Sequence, residues 1–192
     1  MITGEFAVIR TAEPQDAETF HSLQDPECPR SAFLDRRREP VLAARDEVRE
    51  MLTQKEVARG LFYALEDTTG SMRGFCALRE LNPEVGYAEV VMMFCQDDDF
   101  QSPLADEAFG FLARQAFQRM RLNKVTARCM AHESAFRAFL MRNGFQSDGV
   151  QRDVLFAIGK WHNQETLSLF RSDTHFARAE DGAPDKGRCV AE

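Results

Sequence analysis

A mixed α/β sheet protein is what this chain predicts. Three observations carry the expectation. Apolar residues recur every three or four positions in some stretches and run continuously in others. Both tight turns and long crossovers separate the apolar runs, so hairpin and parallel connections are implied together. One run, Tyr87 to Cys95 (YAEVVMMFC), is almost unbroken, as in a central strand buried on both faces. The element order is β-α-α-β-β-β-α-β-α-β-β.

Phe6-Ala7-Val8-Ile9-Arg10 is the first strand. Glu13, Pro14 and Asp16 open a helix, with Ala17, Phe20 and Leu23 at helical spacing, and the prolines of Asp25-Pro26-Glu27-Cys28-Pro29 end it. After the charged connector of residues 35–40, Val41, Ala44, Val48, Met51 and Leu52 mark one face of a second helix, with Gly60 at its expected C-terminal cap. Leu61 to Leu65 and Gly74 to Leu78 then read as hairpin strands around Asp67-Thr68-Thr69-Gly70-Ser71. The long apolar strand follows, and residues 96–101 form a loop carrying Asp97, Asp98 and Asp99. Ser102 is a capping residue, Pro103 suits the first helical position, and Phe109, Leu112, Ala113, Ala116, Phe117 and Met120 give the apolar face of the clearest helix. Lys124 to Met130 is a strand, and Ser134 to Asn143 is a helix closed by Gly144. Val154 to Ile158 and Thr166 to Phe170 are two last strands around a Gly159–Gln164 loop.

Composition bounds the function. With 192 residues, 44% of them hydrophobic and 29% charged, the chain is expected to form one domain over 1–172 followed by a polar, flexible tail over 173–192. A net charge of -7 argues against a nucleic-acid binder, which needs an excess of Lys and Arg on some face, and suits a cationic partner. No apolar stretch is long enough to span a bilayer, and the first ten residues lack the apolar core of a signal segment. The cytoplasm is the expected compartment. Five cysteines without a CxxC pair fit a reducing environment, and no metal site is expected. With 16 Phe and only 2 Tyr, any mechanism needing a tyrosine must choose between Tyr63 and Tyr87.

Several local sequences share one pattern. Ile9-Arg10-Thr11-Ala12 precedes Asp16-Ala17, Ala88-Glu89-Val90 opens the long strand, Glu107-Ala108 sits in the helix after the acidic loop, and Asn143-Gly144-Phe145 ends the last helix. Their order and spacing resemble the GNAT superfamily of N-acetyltransferases over about Phe6 to Arg171, and Arg152-Asp153 with Gly159-Lys160-Trp161 is similar to its branch acting on ribosomal-protein N-terminal alanines. The resemblance implies the GNAT acyl-CoA N-acyltransferase fold and acetyl transfer from acetyl-CoA to a primary amine or a basic protein N-terminus, by a monomer or homodimer. It implies that the pantetheine arm pairs with the splayed strand edge at Met93, Phe94 and Cys95. It puts the pyrophosphate on the helix start at Gln101, Ser102, Leu104 and Ala105, with His132 as a further cofactor contact. Glu89 is the implied general base, and a strand N–H the implied oxyanion donor.

Three departures from that pattern stand in the sequence. Gln101 and Pro103 occupy the two glycine positions of the cofactor loop, and proline removes an N–H donor. Asp97, Asp98, Asp99, Asp106 and Glu107 are expected to oppose a dianion there. The helix that carries a tyrosine in many members has Phe139 and Leu140 instead, and His132 stands near the position of the family's asparagine. Two readings therefore stay open: an active N-acetyltransferase, and a binding or regulatory module of the same fold that has lost acetyl-CoA. A different acyl donor is a third.

Overall fold

The computed structural model describes residues 1–23, 30, 60–157 and 159–174. The strands are β1 (Ile2–Thr3), β2 (Ala7–Thr11), β3 (Gly60–Asp67), β4 (Met72–Asn82), β5 (Tyr87–Phe94), β6 (Lys124–Met130), β7 (Gln146–Ala157) and β8 (Lys160–Phe170). The helices are α1 (Ala17–Ser22), α2 (Pro103–Ala113) and α3 (Ser134–Arg142). All eight strands join one sheet in the order β1-β2-β3-β4-β5-β6-β8-β7. Among the described strands only β5 and β6 pair in parallel; the other neighbours are antiparallel. The expected second helix over 41–55 and the tail beyond 174 lie outside the described residues.

Strand alternation sends side chains to two cores. Leu65, Cys76, Met92 and Phe94 pack with Leu104, Phe109, Leu112, Phe136 and Phe139 of α2 and α3. Their sequence neighbours Ala64, Phe75 and Met93 pack with Ala17 and Phe20 of α1. Helices thus cover both faces, as the apolar run of β5 requires. Ser102 caps α2 with its side chain and Pro103 fills the first helical turn, as their chemistry predicts. The helical path beyond Ala113 widens into a π-helical turn over Arg114–Arg119, where the Met120 N–H reaches the Gln115 carbonyl at 3.0 Å.

Gly60 begins β3 with φ +123, where a Cβ would sit 2.3 Å from the Leu78 carbonyl oxygen, and the helix it was expected to cap lies outside the described residues. Two expectations need correction. The region 160–164 is not a loop. β8 lies between β6 and β7, so its polar residues gain ladder partners on both sides, among them Gln164 with Met130 and Gln151. Finally, a short strand β1 precedes the expected first strand. It pairs with β2, and the Glu107 carboxylate holds the turn between them by accepting the N–H groups of Glu5, Phe6 and Ala7 at 2.9, 2.8 and 2.9 Å.

Candidate active site

The parallel pairing of β5 and β6 is short. Tyr87, Ala88 and Glu89 stand opposite Lys124, Val125 and Thr126, and the ladder stops there although both strands continue. The Cys95 N–H donates to the Arg73 carbonyl at 2.8 Å, so odd-numbered backbone groups of this segment face β4. Backbone groups alternate sides along a strand. Those of Val90, Met92 and Phe94 therefore face the gap. A cavity of about 250 Å³ adjoins this gap, lined by Met92, Phe100 and Phe136 and by the polar side chains of Arg30, Asp97, His132 and Glu133. Six of the seven lining groups come from these elements: Met92 from β5, Asp97 and Phe100 from the turn before α2, and His132, Glu133 and Phe136 from the start of α3.

The structure divides the three strand residues expected along this edge. Phe94 presents its backbone to the gap, and its carbonyl accepts from Arg30 Nη1 at 3.3 Å. Met93 turns its side chain to the opposite core with Phe20 and Phe75, and Met92 takes its place in the cavity. Cys95 pairs toward β4, and its thiol lies 3.9 Å from the Met72 carbonyl. Burial first, then the charge of Asp99, pushes this thiol up from its ordinary value, which makes it a poor nucleophile.

At the start of α2 the amide groups are largely engaged. The Ser102 N–H donates to the Asp99 carbonyl at 3.0 Å, and the Ala105 N–H to the Ser102 carbonyl at 3.1 Å and Oγ at 3.4 Å. Pro103 has no N–H, so the Leu104 amide is the one of the expected set left outside these capping bonds. Gln101 is exposed, whereas Leu104 and Ala105 are buried beneath the helix start. His132 reaches the cavity, with its ring centroid 5.5 Å from that of His162 on β8. Phe139 and Leu140 are core residues, 1% and 0% exposed.

The repulsion expected from the acidic loop is tempered at three of its carboxylates, which have cationic partners. Arg73 Nη2 binds Asp99, Arg142 Nη2 binds Asp106 at 2.6 Å, and Arg30 Nη2 lies 3.2 Å from Asp97. Glu107 is turned to the N-terminal strand instead.

Glu89 is 1% exposed and lies beside the point where β5 and β6 part. Arg128 Nε and Nη2 donate to its two oxygens at 2.6 and 2.7 Å, and Arg79 Nε donates at 2.9 Å. Burial alone would raise this carboxyl, but the hydrogen bonds and charges of Arg128 and Arg79 outweigh it and hold the group below its ordinary value. A carboxylate clamped in this way accepts a proton weakly. On the same network Arg128 Nη2 lies 3.4 Å from Glu80, which has a left-handed φ of 51. Sequence reasoning missed Arg30, Arg79 and Arg128. The signal for Arg128 is a charge between the apolar Ala127 and Cys129 in the inner part of β6, which implies a buried partner; Arg30 carries no comparable local signal.

The sequence profile described as Acetyltransferase (GNAT) domain matches residues 7–146. The chain belongs to this GNAT acetyltransferase family. Solved structures agree on the GNAT fold. The crystal structure of a protein named Probable acetyltransferase is 23% identical, with a TM-score of 0.70 over 89% of this chain and 96% of that one. Spermidine N-acetyltransferase from Vibrio cholerae, in complex with CoA and spermine, is 16% identical, with a TM-score of 0.71 over 87% of this chain and 96% of that one. The SpeG enzyme of the same organism with manganese ions is 17% identical, with a TM-score of 0.69 over 93% and 98%. No curated protein matches the chain significantly by sequence. In the GNAT frame the gap between β5 and β6 is the splayed strand edge that the resemblance implied on the long strand.

Proposed function

We propose that this chain is an N-acetyltransferase that moves an acetyl group from acetyl-CoA to a primary amine or a protein N-terminus. The observation that carries the proposal is the parting of β5 from β6 after Glu89 and Thr126, which leaves the backbone of Val90, Met92 and Phe94 facing the gap. An extended amide-bearing arm suits that edge, because the backbone beyond the last β5–β6 pair offers it donors and acceptors, with the Phe94 carbonyl already accepting from Arg30. Met92, Phe100 and Phe136 offer it apolar contact in the adjoining cavity. Bound acetyl-CoA supplies an acetyl group activated as a thioester. A backbone N–H of the open edge is placed to stabilise an oxyanion. Glu89 acts by holding Arg128 and Arg79 in place where the strands part, rather than by taking a proton. An amine acceptor fits the net charge of -7, and an amine is what the Vibrio cholerae protein holds as spermine.

One observation favours the second reading, a module of this fold without acetyl-CoA: the Ser102 and Ala105 amides are engaged in capping, so the usual phosphate cradle is reduced. Calorimetry with acetyl-CoA, followed by thiol release in the presence of spermine or an alanine-terminated peptide, separates the two. Binding and amine-dependent thiol release are expected. Absence of binding at millimolar acetyl-CoA rejects the enzyme reading in favour of the module.

A further inference from the structure

Resting on the acetyl-CoA reading, we infer that Arg30 holds the diphosphate of the cofactor, by exchanging the carboxylate of Asp97 for phosphate oxygens. Three arginines surround the turn before α2, and they are not equivalent. Arg73 is tied to Asp99, whose side chain is only 11% exposed. Arg142 is tied to Asp106 and to the Phe100 carbonyl at 3.1 Å. Of the three, only Arg30 lines the cavity. Among the described residues, its Nη1 donates to the Phe94 carbonyl at 3.3 Å and its Nη2 lies 3.2 Å from Asp97 in an ion pair, both long for charge-assisted contacts. Asp97 is 61% exposed at its side chain, so water screens the pair and a carboxylate leaves it easily.

A diphosphate is the stronger ligand for that guanidinium, since it offers more charge and matches the planar fork with two oxygens. It also needs a side-chain cation here. The α2 start gives Ser102 and Ala105 amides that already bond to the Asp99 and Ser102 carbonyls, and Pro103 gives none. The Arg30 group bonded to the Phe94 carbonyl lies at the end of the open β5 edge. An arm lying along that edge would bring its attached phosphates to the guanidinium. The chain thus replaces a glycine-rich amide cradle with one arginine held ready by an acidic placeholder.

The test is calorimetry with CoA, dephospho-CoA and pantetheine on the native chain and on Arg30→Ala, Arg30→Lys and Asp97→Asn. Arg30→Ala should weaken CoA and dephospho-CoA by about tenfold or more and leave pantetheine unchanged. Arg30→Lys should recover part of the loss, and Asp97→Asn should tighten CoA by removing the competing carboxylate. The salt dependence of CoA binding should be shallower in Arg30→Ala. CoA affinity within twofold of native in Arg30→Ala overturns the inference while leaving the acetyltransferase reading intact. A loss confined to CoA and absent for dephospho-CoA overturns it too, because it moves the contact to the 3′-phosphate. A native chain that binds no CoA overturns both.

Discussion

One carboxylate, Glu89, ties three strands together: it sits on β5 and accepts from Arg79 on β4 and Arg128 on β6. Replacing it by glutamine keeps the shape and removes the charge, which leaves Arg128 buried without its main counterion. That change is expected to lower stability by about 3–5 kcal/mol, read from denaturant unfolding. The pair Glu89→Leu with Arg128→Met should recover part of the loss, since the buried Arg128 charge goes with the carboxylate while the more exposed Arg79 stays. The pH dependence has a definite sign. The folded carboxyl lies below its ordinary value of 4.5, so the unfolded chain binds that proton more readily. The stabilisation is complete above that value and is lost as pH falls below it. Native stability should therefore fall more steeply from pH 7 to pH 3.5 than that of Glu89→Gln. Full stability in Glu89→Gln together with a large drop in turnover would restore the general-base role. The importance of Glu89 was legible in the sequence from its place at the start of the long strand. Its environment was not, because the Arg128 partner lies 39 residues away and is brought near only by the strand register.

Among the elements, α2 was the most legible, because each of its signals is local: a capping serine, a proline at the first position and an apolar stripe. The β7–β8 hairpin was the least legible. Its residues are mostly polar or exposed, and pairing rather than local apolar pattern extends it. The turn from β1 to β2 was equally hidden, since its N–H groups find the distant Glu107. A Cβ on Gly4 would come within 1.6 Å of Glu107 Oε1, so glycine is what lets the carboxylate reach the turn. Glu107→Ala should free the N–H groups of residues 5–7. Hydrogen exchange of those amides should accelerate sharply while the β4 and β5 amides keep their protection. The stability loss should be modest, about 1–2 kcal/mol, because Glu5 and Phe6 are exposed and water replaces the carboxylate. Equal acceleration across the whole sheet would show instead that β1 belongs to the global folding unit.

Across the whole molecule, the GNAT order was readable because strands, crossovers and turns follow in a sequence that few folds share. The acidic run Asp97-Asp98-Asp99 carries no local sign of its partners. Arg30, Arg73 and Arg142 reach the acidic turn from three separate parts of the chain, so no window of sequence shows the neutralised cluster they make with Asp97, Asp99 and Asp106. The sheet supplies one side of the cofactor reading, an open β5 edge, and the loops supply the other, a cavity with a cationic lining residue. Both sides belong to the folded state alone, so ligand binding must appear as added global stability. At about 100 times its dissociation constant, acetyl-CoA should add about 2.7 kcal/mol. For a domain of this size that corresponds to a rise in Tm of roughly 5–11 °C. The rise should shrink as salt is increased, because guanidinium–phosphate attraction is screened while apolar contact with Met92, Phe100 and Phe136 is not. A rise that salt leaves untouched would assign the binding to the pantetheine arm alone, and no rise at any concentration would mean that the open edge serves something other than this cofactor.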